Sequence, residues 1–299
     1  MLYFLTTGTK ESAMNPLLAL VDAIERFDRL DGVASSVSKA VGWAVQPQIV
    51  RNLLSGTPIG HPLHPIMTDL PIGAWSMSTV LDTIGGKASE PAADLLVAVG
   101  IATAIPTAAS GLNDWSDTTG KARRVGTVHA VANSTALCLF TSSAVARATG
   151  SRSVGKALGL AGFGILMFGG FLGGHLSYSN AVNINKTAGR IGPKEWTPVL
   201  AESELADGEH RKVSAGKVTV LVHRTGSSIL ALDSVCSHMG GPLEEGKIDG
   251  GCVICPWHGS TFRLEDGGIV RGPASNRQPS YEARVNDGQI EVRRRRPAS

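Results

Sequence analysis

The sequence has little charge and few aromatic residues: 18% of its 299 residues are Asp, Glu, Lys or Arg, and 5% are Phe, Trp or Tyr. So low a charge content, beside 36 glycines, excludes a disordered chain or a long coiled coil, and the length fits about two domains. The formal net charge of +3 is too small to argue for nucleic acid, and no nucleic-acid partner is expected. The first 15 residues lack both a basic start and a sustained apolar run, so no secretory signal peptide is expected.

What the chain does have is apolar sequence, unevenly spread. Leu95 to Asn113, Val125 to Ala146 and Ala157 to Tyr178 carry no formal charge over roughly the length that spans a bilayer. A fourth segment, Pro65 to Ile84, has an uncharged middle from Leu70 to Leu81, bounded by Asp69 and Asp82. A soluble bundle of buried, Ala- and Gly-rich helices is the alternative, but four such stretches would leave it almost no polar face. Gly169, Gly170, Gly173 and Gly174 also form two overlapping small-xxx-small pairs that let helix backbones approach closely in lipid. Upstream, Leu17, Val21, Ile24 and Leu30 recur at helical spacing beside Asp22, Glu25, Arg26, Asp28 and Arg29. That pattern predicts an amphipathic helix that lies on the membrane, packs on the bundle or is simply solvated.

After Tyr178 the texture changes. Asn180, Asn183, Asn185, Lys186, Gly189, Gly192 and Pro193 make a polar connector. Beyond it, Val218, Val220 and Val222 alternate, and Arg224-Thr225-Gly226 turns the chain into Ile229 to Leu232, as in strands joined by tight turns. The expected fold class is a membrane all-α four-helix bundle followed by an all-β domain.

Three of the four cysteines lie close to two histidines in the β half, whereas Cys138 sits mid-span as a small apolar residue. Cys236-Ser237-His238 is followed, after 16 residues, by Cys255-Pro256-Trp257-His258. A C-x-H and a C-x-x-H group at the tips of adjacent hairpin loops can bind two irons, with two thiolates on one and two neutral imidazoles on the other. A Cys2His2 zinc site would use the same four residues. Against zinc stand Gly240, Gly241, Pro242 and Gly259, which flank the four residues with the turn-forming types that the loops of the family named below require. Cys252 reads as a strand residue. His210 and His223 lie in strand patterns with no evident partner and are expected at the surface.

These two loops resemble the Rieske [2Fe-2S] family, over residues 196 to about 293. The resemblance implies a [2Fe-2S] cluster held by Cys236, His238, Cys255 and His258, and electron transport as its use. Rieske domains of quinol-oxidising complexes carry a further disulfide-bonded cysteine in each loop and a tyrosine after the second. Here Gly241 (or Gly240), Trp257 and Phe262 take those places, so the loops resemble those of Rieske ferredoxins and oxygenases, and Ser260 remains as a donor toward sulfur. Fewer donors stabilise the reduced cluster less, which predicts a potential toward the lower end of roughly −150 to +300 mV. The missing loop cysteines also suit a reducing compartment. Only 41 residues follow His258 and none is histidine, so the terminal component of an oxygenase, which needs a second iron site, is not expected.

The apolar half holds His61, His64, His129 and His175, and ionisable residues at membrane depth are functional candidates by default. Threading four antiparallel spans places these histidines, Asp69, Asp114 and Asp117 toward the membrane face from which the chain enters the β domain. His61-Pro62-Leu63-His64-Pro65, with Thr68-Asp69 and Pro71-Ile72-Gly73-Ala74-Trp75, resembles the opening of an uncharacterised family of small four-helix membrane proteins, over roughly residues 50 to 184. Gly111-Leu112-Asn113-Asp114-Trp115 and Gly173-Gly174-His175 are polar where that family is polar. Haem b ligation by His129 and His175, on successive helices, is one reading. His61 and His64, at i and i+3, could share a helix face and bind a metal with Asp69 or serve a second haem. A quinone or proton site without metal, and hydrogen-bonded helix-end histidines, are the others.

The divisions expected are an amphipathic segment at 1–52, a transmembrane domain at 53–184, a linker at 185–195, the Rieske domain at 196–293 and a basic tail at 294–299. Loop charges set the orientation. Arg51, Lys121, Arg123, Arg124, Lys186, Arg190 and Lys194 lie on the histidine face against Lys87, Arg147, Arg152 and Lys156 opposite, which predicts an integral membrane protein with its Rieske domain in the cytoplasm. The Arg293 to Arg296 run could rest on anionic headgroups or be a solvated tail. The function expected is membrane-bound electron transfer with a redox partner protein and a haem, metal or quinone site in the bundle. The alternative is a ferredoxin merely tethered to serve a separate oxidoreductase.

Overall fold

The computed structural model describes residues 15–295. Seven α-helices come first: α1 (Pro16–Arg26), α2 (Asp31–Ala44), α3 (Gln48–Ser55), α4 (Leu63–Ile84), α5 (Glu90–Ser116), α6 (Gly120–Ala148) and α7 (Arg152–Tyr178). Asn15 caps α1 by accepting from the Leu17 amide at 3.0 Å, with Pro16 at the first helical position. Gly56 ends α3 at φ +75, where a Cβ would lie 2.0 Å from the His61 carbonyl oxygen. Only glycine permits this reversal, which folds the His-Pro-Leu-His-Pro loop back toward α4.

Helices α4 to α7 pack as a bundle. Three helical stretches, Lys87–Ser116, Gly120–Ala148 and Arg152–Tyr178, are long and apolar enough to cross a membrane. At mid-bundle, Trp75 of α4 stacks on Phe140 of α6 with ring centres 4.3 Å apart, beside Val97, Ala136 and Leu166. At the end far from the β domain, Arg147 is buried in ion pairs with Asp82 and Asp94, and Arg152 pairs with Asp94 and Glu90. This joins α4, α5, α6 and α7. Arg147→Ala is therefore expected to cost about 3–5 kcal/mol, because it strands buried Asp82. Thermal unfolding in detergent checks this, and R147A/D82A should cost less than R147A alone.

At the near end, α1 packs on the bundle through Val21 against Val125 and Leu172, and Glu25 meets Lys121 at 3.0 Å. Helix α1 is thus packed on the bundle and not merely solvated.

The β domain comprises β1 (Thr197–Ala201), β2 (His210–Ala215), β3 (Val218–Thr225), β4 (Ser228–Asp233), β5 (Lys247–Asp249), β6 (Cys252–Ile254), β7 (Thr261–Arg263), β8 (Ile269–Arg271), β9 (Ser280–Asn286) and β10 (Gln289–Arg294). A six-stranded antiparallel sheet runs β1-β10-β9-β4-β3-β2, and a four-stranded one runs β5-β6-β7-β8. β3 is buried on both faces. Val218, Val220 and Val222 enter one core, while Leu221 joins Leu232, Leu243, Val253, Phe262 and both loop cysteines in the other. His223 follows the second face and is buried, with Nδ1 at 3.1 Å from the Glu209 carbonyl and Nε2 at 2.9 Å from Thr225 Oγ1. His210 Nε2 lies 3.1 Å from the Glu244 carbonyl. Neither is the unpartnered surface residue expected.

The expected linker is packed structure. Thr187 is buried, the Lys186 amide donates to the Ser237 carbonyl at 3.0 Å, and the Arg190 guanidinium meets buried Asp233 at 2.9 Å. Nor are the first arginines of the basic run a free tail. Arg293 and Arg294 belong to β10, and Arg293 pairs with Glu282 and lies over the Trp196 ring. Arg295 reaches the Glu265 carbonyl, and 296–299 lie outside the described residues.

Candidate metal centre

Two loops, after β4 and between β6 and β7, repeat one turn. In the first, the Cys236 amide donates to the Gly241 carbonyl at 2.8 Å and the Gly240 amide to the Cys236 carbonyl at 3.0 Å. In the second, Cys255 and Ser260 are joined at 2.8 Å and Gly259 and Cys255 at 3.0 Å in the same sense. Gly240 (φ +83) and Gly259 (φ +74) occupy the equivalent left-handed positions, as such a turn requires.

The turns aim amides at sulfur: those of His238 and Met239 reach Cys236, and those of Trp257 and His258 reach Cys255. The hydrogen bond from Cys236 and the two amides lower Cys255 to about 7, while the same thiol pairing and burial push Cys236 up. Burial holds both His238 and His258 below the ordinary imidazole value, so both are neutral and able to ligate. Their rings stand 5.2 Å apart at 88°.

This donor set fits a binuclear cluster better than one ion. The two thiols meet each other and the two imidazoles meet each other, yet among the described residues no three His, Cys, Asp or Glu side chains form a single metal-binding group. Ser260 is fully buried and its Oγ accepts from the Ala274 amide at 3.0 Å. A Cβ on Gly241 would stand 2.9 Å from Cys255 Sγ and 3.1 Å from the Trp257 ring. Gly241→Ala is therefore expected to cut iron content at least severalfold, measured per chain after purification. The loop cysteine that the quinol-oxidising variety carries has no room here.

The two imidazoles differ in exposure: His258 is half-buried and His238 is buried. His238 is only 8% exposed, and its Nε2 lies 3.7 Å from Asp117 Oδ2, just past the C-terminal end of α5. His258 lies near enough to Asp117 for that residue's carboxylate and backbone to favour its protonated form against burial. Arg51 of α3 fixes Asp117, donating from Nη2 to Oδ1 at 2.6 Å and from Nη1 to Asn113 Oδ1 at 2.8 Å. Helix α3 and the turn after it also grip the strand end that follows the second loop. Gln48 donates to the Val270 carbonyl at 2.9 Å, the Gly272 amide to Asn52 at 2.7 Å, and Thr57 to the Ala274 carbonyl at 3.0 Å. A small polar cavity between the halves is lined by Ser55, Pro62, Asp114, Asn183, Ser237 and His238.

In the bundle, His64 and His129 are brought together, with ring centres 6.5 Å apart. His175 turns away to Glu25 at 3.3 Å, so the expected His129–His175 pair is not formed. His61 precedes α4 and is exposed, and Asp69 is exposed on α4, so His61, His64 and Asp69 do not share a helix face or gather around one ion. Arg51, Asn52 and Asp117 carry the contact between the halves, and sequence reasoning missed their role. The only signal was their position: charged and polar residues directly beside spans.

Residues 195–282 match the family model of the Rieske [2Fe-2S] domain, and 60–186 match that described as "Predicted membrane protein (DUF2231)". The chain is 34% identical over 98 residues to the anthranilate 1,2-dioxygenase ferredoxin subunit of Burkholderia cepacia, covering 33% of this chain and 91% of that one. It is 31% identical over 98 residues to ferredoxin CarAc of Metapseudomonas resinovorans, covering 32% and 92%. Among solved structures, the ferredoxin of carbazole 1,9a-dioxygenase from Nocardioides aromaticivorans IC177 aligns with 34% of this chain and 100% of its own, at 23% identity and a TM-score of 0.33.

Proposed function

This chain belongs to the Rieske [2Fe-2S] ferredoxin family through its C-terminal domain, borne on a DUF2231 membrane domain, and on that premise we propose that it passes single electrons between its cluster and a redox site in its own helical bundle. Cys236 and Cys255 hold one iron and His238 and His258 the other. When bound, the cluster supplies a one-electron couple.

The chain's own residues do the rest. Backbone amides of both loops would stabilise charge on sulfur, and the imidazoles would give the electron its path toward the helical bundle. The observation that carries the reading is the contact of His238 and His258 with Asp117. The buried part of the ligand edge, at His238, faces the end of α5 and Arg51 of α3, whereas a tethered ferredoxin serving a separate oxidoreductase needs no such contact with its own bundle. The same contact sets the polarity of the site: a carboxylate clamped by Arg51 faces the imidazoles.

The bundle site accepts or donates through haem, another metal or quinone, and the Rieske domain lies on the cytoplasmic side. Basic residues Lys121, Arg123 and Arg124 on that face support the orientation. Full-length protein in liposomes, reduced with dithionite and followed by optical and EPR spectroscopy, tests the reading. A second redox centre, or oxidation of the cluster by added quinone, is expected. Absence of both leaves a tethered ferredoxin.

A further inference from the structure

The two helical hairpins of the bundle repeat one construction. In α4 and α5, His64 Nδ1 lies 3.0 Å from the Thr107 carbonyl oxygen, and its ring rests on Gly111, four residues further on, where a Cβ would stand 2.6 Å from Cε1. In α6 and α7, His129 Nδ1 lies 2.8 Å from the Gly169 carbonyl oxygen, and its ring rests on Gly173, again four residues on, where a Cβ would stand 3.1 Å from Cε1. Each hairpin thus offers one histidine on its first helix, and a carbonyl and a glycine one turn apart on its second. The two histidines meet inside the bundle with ring centres 6.5 Å apart and planes at 84°.

We infer that His64 and His129 are the two protein ligands of a single metal centre inside the helical bundle. The inference rests on the proposed internal electron exchange and says where its second site lies. A carbonyl oxygen only accepts, so the proton of each ring sits on Nδ1 and each Nε2 keeps its lone pair. Metal-bound histidines are held in this way, with the other ring nitrogen donating to a backbone carbonyl. Two imidazoles on opposite sides of one metal, with bonds of about 2 Å, have ring centres about 6 Å apart. Near the rings, Ser110 Oγ lies 3.4 Å from His64 Nδ1. Asn133 Nδ2 lies 3.2 Å from His129 Nε2 while donating to the His129 carbonyl at 2.9 Å.

The ligand class follows from what is missing around the pair. Among the described residues no third His, Cys, Asp or Glu joins it, so zinc and non-haem iron, which take three or more protein ligands, are poorly served. A metal that asks only two imidazoles of the protein suits it. Haem iron does so because the macrocycle fills the other positions, and copper(I) does so as a bare two-coordinate ion. The pair also lies close to the cluster along the chain: Pro62, two residues before His64, lines the cavity that His238 lines.

The test uses full-length protein purified from membranes supplied with haemin or with copper(I). Haem is read as the pyridine haemochrome and copper by elemental analysis. About one haem, or one copper, per chain is expected. His64→Ala and His129→Ala should each lower it at least tenfold while the Rieske EPR signal remains, and His61→Ala and His175→Ala should leave it unchanged. His64→Met keeps a donor of similar length and should recover much of the bound metal, which separates lost ligation from lost folding. Protein that takes up neither haem nor copper, or that keeps its metal in both alanine variants, overturns the inference. A bound metal that never exchanges electrons with the cluster would sink the internal-exchange reading and leave this site standing. Quinone reactivity without any bound metal would do the reverse.

Discussion

Cys255→Ala is expected to abolish the iron-sulfur centre: iron content and the mixed-valence resonance of the reduced protein should both fall to background. Cys255 is 3% exposed and sits in the same core as Leu232, Leu243, Val253 and Phe262, and its sulfur collects the Trp257 and His258 amides. Removing it leaves two amides aimed at nothing and one iron with a single thiolate. The bundle should survive, because its own core of Trp75, Val97, Ala136, Phe140 and Leu166 contains no residue of the β domain. Helical circular dichroism that is retained while iron is lost would show this separation. An unchanged EPR signal would remove Cys255 from the ligand set.

Asp117→Asn is expected to raise the reduction potential. Reduction adds negative charge to the cluster, and the Asp117 carboxylate 3.7 Å from His238 opposes it. A unit charge several Å away at an effective dielectric near 20 contributes on the order of 2 kcal/mol, or roughly 80 mV for a one-electron couple. Arg51 offsets part of that charge through its contact with Asp117 at 2.6 Å, so Arg51→Gln should shift the potential the other way. Redox titration of both variants by EPR checks the pair of signs. Shifts of the same sign, or none beyond about 10 mV, would mean that the docked helix end does not govern the cluster.

The cluster loops were legible in the sequence because their chemistry is local. Cys, His and Gly at fixed short spacing sit in one turn, and the turn recurs in both loops. The grouping of the bundle histidines at one end was also legible, since it follows from counting antiparallel spans. Their pairing was not. Adjacency of α6 and α7 suggested His129 with His175, but rotation about the helix axis decides the matter. Gly169 and Gly173 face His129, and two residues on, at about 100° per residue, His175 lies around the far side of α7 and meets Glu25 of α1. β3 shows the same kind of gap: the alternating valines gave one buried face, while on the other Leu221 packs against the cluster-bearing layer and His223 is buried on Glu209 and Thr225. The contact of His238 with Asp117 joins residues from separate domains, and no local pattern carries it.

The most direct measurement is metal analysis of the purified full-length protein, with EPR before and after dithionite. Two irons per chain beyond any haem, no zinc, and a Rieske mixed-valence resonance that appears only on reduction are expected. One zinc per chain, or iron-free protein silent in both states, would contradict the account.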